Sequence, residues 1–104
     1  MLKISDELAS YVTALFPEET VEDKLKRLIE NELIRRLAQY QHTVRTLEMK
    51  YHTDFETFKA NNLVAQRGYS FEVESDFCDW EMALDGIKTV ERKLQELREK
   101  HSDN

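Results

Sequence analysis

The chain is short of the residues that break regular structure. Its 104 residues include two glycines, Gly68 and Gly86, and one proline, Pro17. A β-sandwich or barrel needs turn residues at each reversal, so this scarcity argues against an all-β fold. Cysteine is nearly absent. Cys78 stands alone, so no intramolecular disulfide can form, which points to a reducing, cytoplasmic setting. No apolar run approaches the roughly 18 residues of a membrane-spanning helix. The stretch from Met1 to Ser10 has neither a basic n-region nor an apolar h-region, so a secretion signal is not expected. Positive charge is also in deficit. Fifteen Lys and Arg face 21 Asp and Glu, for a net charge of −6. Such a chain is a poor general nucleic-acid binder unless its bases are segregated.

What is present favours helices. Charged residues make up 35% of the chain, and a composition rich in Glu, Lys, Arg and Leu suits long helical segments. The length fits one domain. The expected fold is all-α, with three to four helices and one long central helix. Met1 to Ile4 form a short apolar lead with room for one brief strand. Ser5 suits a helix N-cap, and Asp6 and Glu7 suit the positive end of the helix dipole. Leu8, Val12 and Leu15 recur on one face, and Pro17 stops this helix near Phe16. Thr20 to Asp23 then reads as a cap before the longest pattern in the chain. Leu25, Ile29, Leu33, Leu37, Tyr40, Val44, Leu47 and Tyr51 are spaced by three or four throughout. A helix from Val21 to Tyr51 would run about 45 Å. An apolar seam on so long a helix suits packing against a second chain. Leu33, Leu37, Tyr40, Val44, Leu47 and Tyr51 are the expected seam of a homodimer.

Thr53 to Glu56 has the form of a capping box and predicts a short helix carrying Phe55 and Phe58. Residues 63–70 read as a loop. Phe71, Val73 and Ser75 alternate with acids, which predicts a brief extended stretch. The last helix is expected from Asp76 to about Lys100, with Phe77, Trp80, Leu84, Ile87, Leu94 and Leu97 on its apolar face. Ala83 and Gly86 leave a notch of small residues on it, either a seat for a close helix or a tolerated cost in helix propensity. Residues 1–52 form the expected dimerisation region and residues 53–104 an acidic, aromatic partner-binding region, within one unit.

Charge comes in blocks. Residues 68–87 hold six acids and no base: Glu72, Glu74, Asp76, Asp79, Glu81 and Asp85. Carboxylates could bind a hard cation, but the spacing matches no EF-hand loop and no His lies among them. Paired carboxylates could do acid–base chemistry, but no nucleophile or glycine-rich cradle accompanies them. Acids at a helix start also arise simply as a solvated, dipole-favoured face. The remaining reading is a surface that docks on a basic groove. Phe71, Phe77 and Trp80 interleave with the acids, and aromatics amid charge are a frequent hot-spot composition. The expected partner-binding set is Phe71, Glu72, Glu74, Asp76, Phe77, Asp79, Trp80 and Glu81. No catalytic residue, cofactor site or metal site is assigned, and the chain is not read as an enzyme. Lys26, Arg27, Arg35 and Arg36 could meet phosphates, but Glu22–Lys26 and Glu32–Arg36 have the acid-before-base order of a solvated helix face. His42 and His52 have no ligand spacing, and acids beside Cys78 disfavour its thiolate.

The short lead Leu2-Lys3-Ile4-Ser5, followed by Asp6-Glu7-Leu8, a helix, a turn and a second helix, resembles the ribbon-helix-helix layout of small prokaryotic antitoxins and repressors. The stretch from Lys50 to Phe58 is similar to a K-Y-G-x-S/T-F-E-x-F pattern in antitoxin-like proteins, with His52 where that pattern has Gly. The segment from Asp76 to Trp80 and Glu81 also looks like the acidic ending of such proteins. The resemblance implies a cytoplasmic antitoxin-like homodimer that neutralises a cognate toxin protein, commonly a nuclease, through its C-terminal half. Only Lys3 offers a cation in the lead, so neutralisation is better supported than operator binding. A transcriptional regulator holding DNA with its N-terminal half, and a structural helical adaptor, are the alternatives.

Overall fold

The computed structural model describes residues 5–15 and 20–101. Five helices lie among them: α1 (Asp6–Leu15), α2 (Val21–Tyr51), α3 (Phe55–Ala60), α4 (Leu63–Gln66) and α5 (Phe71–His101). The all-α expectation holds, but the count exceeds the three or four helices predicted. Met1 to Ile4, the lead with room for a brief strand, lie outside the described residues, as do Phe16 to Glu19 around the predicted end of α1.

Local chemistry accounts for each helix boundary. The Ser5 hydroxyl accepts from the Leu8 N–H at 3.2 Å, and the Thr20 hydroxyl accepts from the Asp23 N–H at 3.1 Å. Each satisfies an N–H that the first turn would leave orphaned. At the far end of α2, His52 takes a left-handed conformation, φ 55°, and its N–H reaches the Glu48 carbonyl. This is an αL C-cap, the position that favours glycine. Asp54 then caps α3, its carboxylate accepting from the Thr57 N–H at 2.7 Å. The cap is therefore one residue later than the predicted Thr53. Residues 63–70, read from sequence as loop, contain the single-turn α4. The stretch from Phe71 to Ser75, read as extended, is the first turn of α5. The Ser70 hydroxyl accepts from the Val73 N–H at 3.3 Å and starts that helix five residues earlier than predicted.

The two long helices form an antiparallel hairpin. Lys50 of α2 reaches Asp76 of α5, Tyr40 meets Gly86, and Glu30 meets Arg98. The two sequence-defined regions thus share one hairpin. Its extents of 57 × 29 × 24 Å and radius of gyration of 19.5 Å exceed the ~13 Å of a compact chain this long.

The core lies at the closed end, where α3 and α4 fold beneath the hairpin. Leu47, Tyr51, Phe55, Phe58, Val73 and Trp80 form one buried cluster. Phe58 and Trp80 have no exposed surface, and their ring centroids lie 5.2 Å apart. Tyr51 meets Phe58 edge-on at 4.8 Å. Offset and edge contacts of this kind add about 0.5–1.5 kcal/mol each beyond area burial. The Trp80 indole N–H finds no acceptor among the described residues.

The face of α2 expected to pack on a second chain packs within this one instead. Leu47 and Tyr51 are buried in the chain's own core, and Val44 packs against it. Tyr40 fills the notch at Gly86, where an added Cβ would sit 2.5 Å from its ring. Leu37 lies opposite Leu94 across a shallow cleft, and Leu33 is half-buried. The physical reason is α5, a second 31-residue amphipathic helix that satisfies the same periodicity from within.

Candidate partner-binding surface

The acidic first half of α5 is the candidate site, and its helical geometry sorts the predicted residues into two sets. Val73, Phe77, Trp80, Ala83 and Leu84 fall on the inward side. Trp80 is wholly buried, and Phe77 packs against the aromatic cluster. These two rings are therefore core residues rather than the exposed anchors expected from sequence. Their spacing continues the inward face, which runs 73, 77, 80, 84, and that face is covered by α2, α3 and α4.

Asp76 is also engaged internally. Its Oδ2 accepts from Lys50 Nζ at 2.6 Å and from the Tyr51 hydroxyl at 2.6 Å. Lys50 also donates to Glu72, and Arg67 lies over the Tyr51 ring at 5.3 Å. Burial alone would raise the Asp76 pKa, but the hydrogen bonds from Lys50 and Tyr51 outweigh it and hold the carboxyl below its ordinary value. Burial, then the hydrogen bond to Asp76, pushes the Tyr51 phenol up to about 12. The hydrogen bonds to Asp76 and Glu72 raise the Lys50 pKa. Raised Tyr and Lys pKa values make poor bases near neutrality. The cluster acts as a latch between the end of α2 and the start of α5.

The remaining acids form the surface. Glu74, Asp79, Glu81 and Asp85 are exposed and have no ion-pair partner among the described residues. Phe71 is 87% exposed and Met82 68%, and Cys78 lies exposed between them. Sequence reasoning found Phe71 but missed Met82. The i, i+7, i+11 spacing of 71, 78 and 82 was the available signal. Phe77, Cys78 and Glu74 also line a mainly apolar cleft of about 310 Å³ whose other wall is Phe58, Leu63 and Val64, with Lys59 and Asn62 at its edge.

The bases of α2 are organised differently. Arg35 and Arg36 both grip Glu32, at 2.7 and 2.8 Å. Their hydrogen bonds lower the Glu32 pKa to about 2. Among the described residues, no group of three or more His, Cys, Asp or Glu is placed to hold a metal ion. Among the described residues, no helix is long and apolar enough to cross a membrane. The chain matches no protein-family model, no curated protein and no solved structure.

Proposed function

We propose that the protein is a non-catalytic binding module of antitoxin type, acting in the cytoplasm, which neutralises a cognate toxin protein through α5. The observation that carries this reading is the base-free acidic half of α5, which holds four of its six carboxylates, Glu74, Asp79, Glu81 and Asp85, and two large apolar side chains, Phe71 and Met82, in solvent. Surface charge of one sign steers a partner of the opposite sign and selects against others. A nuclease has a basic substrate groove, and carboxylates laid in it would occupy the places of the phosphates. The partner-binding set is Phe71, Glu74, Asp79 and Glu81, joined by Met82 and Asp85. Glu72 and Asp76 serve the latch, and Phe77 and Trp80 serve the core.

Homodimerisation belongs to the same reading, at the open end of the hairpin. Leu8, Tyr11 and Leu15 on α1 and Ile29 and Ile34 on α2 are exposed there. The chain's surface of 7824 Å² exceeds by about 1700 Å² that of a compact monomer of its mass. A standard interface takes only ~800 Å² from each partner.

The test is co-expression with the protein encoded by the adjacent gene, followed by affinity capture, light scattering and a growth assay. A stoichiometric complex with relief of the neighbour's toxicity is expected. A free, folded chain beside an unrelieved toxin would sink the reading.

A further inference from the structure

The outward face of α5 carries more than charge. Phe71, Cys78 and Met82 lie within about 40° of one another around the helix axis, because steps of seven and four residues nearly complete whole turns. They form an exposed apolar ridge about three turns long. Glu74, Glu81 and Asp85 repeat the same spacing in a parallel row on one side, and Asp79 lies on the other. A cleft borders the ridge on each side. The larger, about 310 Å³, runs between Cys78 and the α3–α4 layer. The smaller, about 210 Å³, lies beside Met82 against Tyr40 and Thr43. An apolar cavity of ~150 Å³ accepts a benzene ring, so the larger cleft has room for a big apolar side chain.

We propose that this ridge and its clefts are the docking surface for a basic amphipathic helix of the partner protein. Apolar residues of that helix would straddle the ridge and drop into the clefts, and Lys or Arg beside them would meet the carboxylate rows. This rests on the reading of the chain as a binding module and adds which face is used and what the partner presents. A second copy of this chain is a poor occupant. A twofold contact through the ridge would set Glu74, Glu81 and Asp85 of one copy against the acidic rows of the other. Like charges facing one another cost stability, whereas a basic helix turns the same rows into attraction.

Cys78 is the only cysteine and lies in the middle of the ridge, so its alkylation reports directly on coverage. The full-length protein would be mixed with a synthetic peptide of about 18 residues, five helical turns, with Leu on one face and Lys on the other. A peptide of the same composition in scrambled order is the control. At a peptide concentration ten times its Kd, mass action leaves about a tenth of the protein free, so iodoacetamide should modify Cys78 about tenfold more slowly. Phe71→Ser with Met82→Ser changes only exposed side chains and should preserve the helical circular dichroism while raising the peptide Kd at least about tenfold. Glu74→Lys with Glu81→Lys should do the same and remove the salt dependence.

Equal protection by the scrambled peptide, or an unchanged Kd in the variants, overturns the proposal. So does protection that rises with the protein's own concentration in the absence of peptide, since a second copy would then cover the ridge. The two readings fail separately. Toxin neutralisation with Cys78 still freely alkylated in the complex refutes the ridge and leaves the binding module. Peptide protection without neutralisation of the adjacent gene's product refutes the toxin reading and leaves the ridge.

Discussion

At the closed end of the hairpin, Tyr51, Phe55, Phe58 and Trp80 are buried beneath α3 and α4. At the open end, Ile29 and Ile34 of α2 and three apolar residues of α1 stay in solvent. Apolar residues recur every three or four positions along the whole of α2, so a shortage of apolar side chains is not what separates the two ends. The difference is a third layer. Two paired helices cover one stripe on each other and leave the flanks open, and a further element is needed to enclose a core. At the closed end, α3 and α4 supply that layer within about a dozen residues. At the other end α1 buries Val12 but leaves Leu8, Tyr11 and Leu15 outside.

The contrast is sharpest in core truncations. Trp80→Ala should cost about 3–5 kcal/mol, since it empties the centre of the cluster. Ile29→Ala, at a half-exposed site, should cost less than about 1 kcal/mol. Urea unfolding monitored by circular dichroism would compare them, and similar losses would mean that the open end is enclosed in solution.

The latch comes next. Asp76→Asn should cost about 1.5–3 kcal/mol, the range for hydrogen bonds to a charged group. Because folding lowers the Asp76 pKa from 3.8, the carboxylate's contribution is present above that pH and is lost as pH falls through the lower folded value. The stability curves of the two proteins should converge in that acid window. Tyr51 works in the opposite direction. Its phenol pKa is raised from 10.0 to about 12, so its contribution is complete below pH 10 and is lost as pH rises through about 12. Ultraviolet titration should show one tyrosine ionising late, and Tyr51→Phe should remove that step.

Gly86→Ala would gain about 1 kcal/mol at an open helical site. Here the new methyl meets the Tyr40 ring, and a net loss of about 1 kcal/mol is expected. In a Tyr40→Ala background the sign should reverse, and a gain in both backgrounds would mean that the helices separate freely at this point. The smallest expected effect is His52→Gly. It relieves a left-handed residue and should stabilise by up to about 1 kcal/mol, visible as a small rise in Tm.

These residues also mark how far the sequence could be read. The bounds of α2 were legible because a cap at Thr20 and an unbroken apolar period agree. The short helix carrying Phe55 and Phe58 was legible from the capping pattern before it. The start of α5 was not, because Phe71, Val73 and Ser75 mimic strand alternation over five residues. Only the continuation through Phe77, Trp80 and Leu84 separates helix from strand there. Trp80 was legible on the apolar face of the last helix, yet its charged neighbours in sequence also drew it into the expected partner-binding set, whereas its neighbours one turn away are apolar. The seam of α2 was visible as a seam, but periodicity cannot say whether the covering helix belongs to the same chain. Of the exposed ridge only Phe71 was legible, because Cys78 and Met82 lie on the opposite side of α5 from its apolar face.

The antiparallel pairing also orders the events of folding. Lys50 and Asp76 are 26 residues apart along the chain, whereas Arg98 and Glu30 are separated by 68. Closing the longer loop directly costs about 0.9 kcal/mol more in chain entropy, and the shorter loop brings the aromatic contacts with it. The hairpin should therefore zip from the Tyr51–Trp80 end outward, each closed turn shortening the effective loop for the next. Reversed, the same sequence of steps is fraying: amide protons near Glu30 and Arg98 should exchange early and those around Phe58 and Trp80 last.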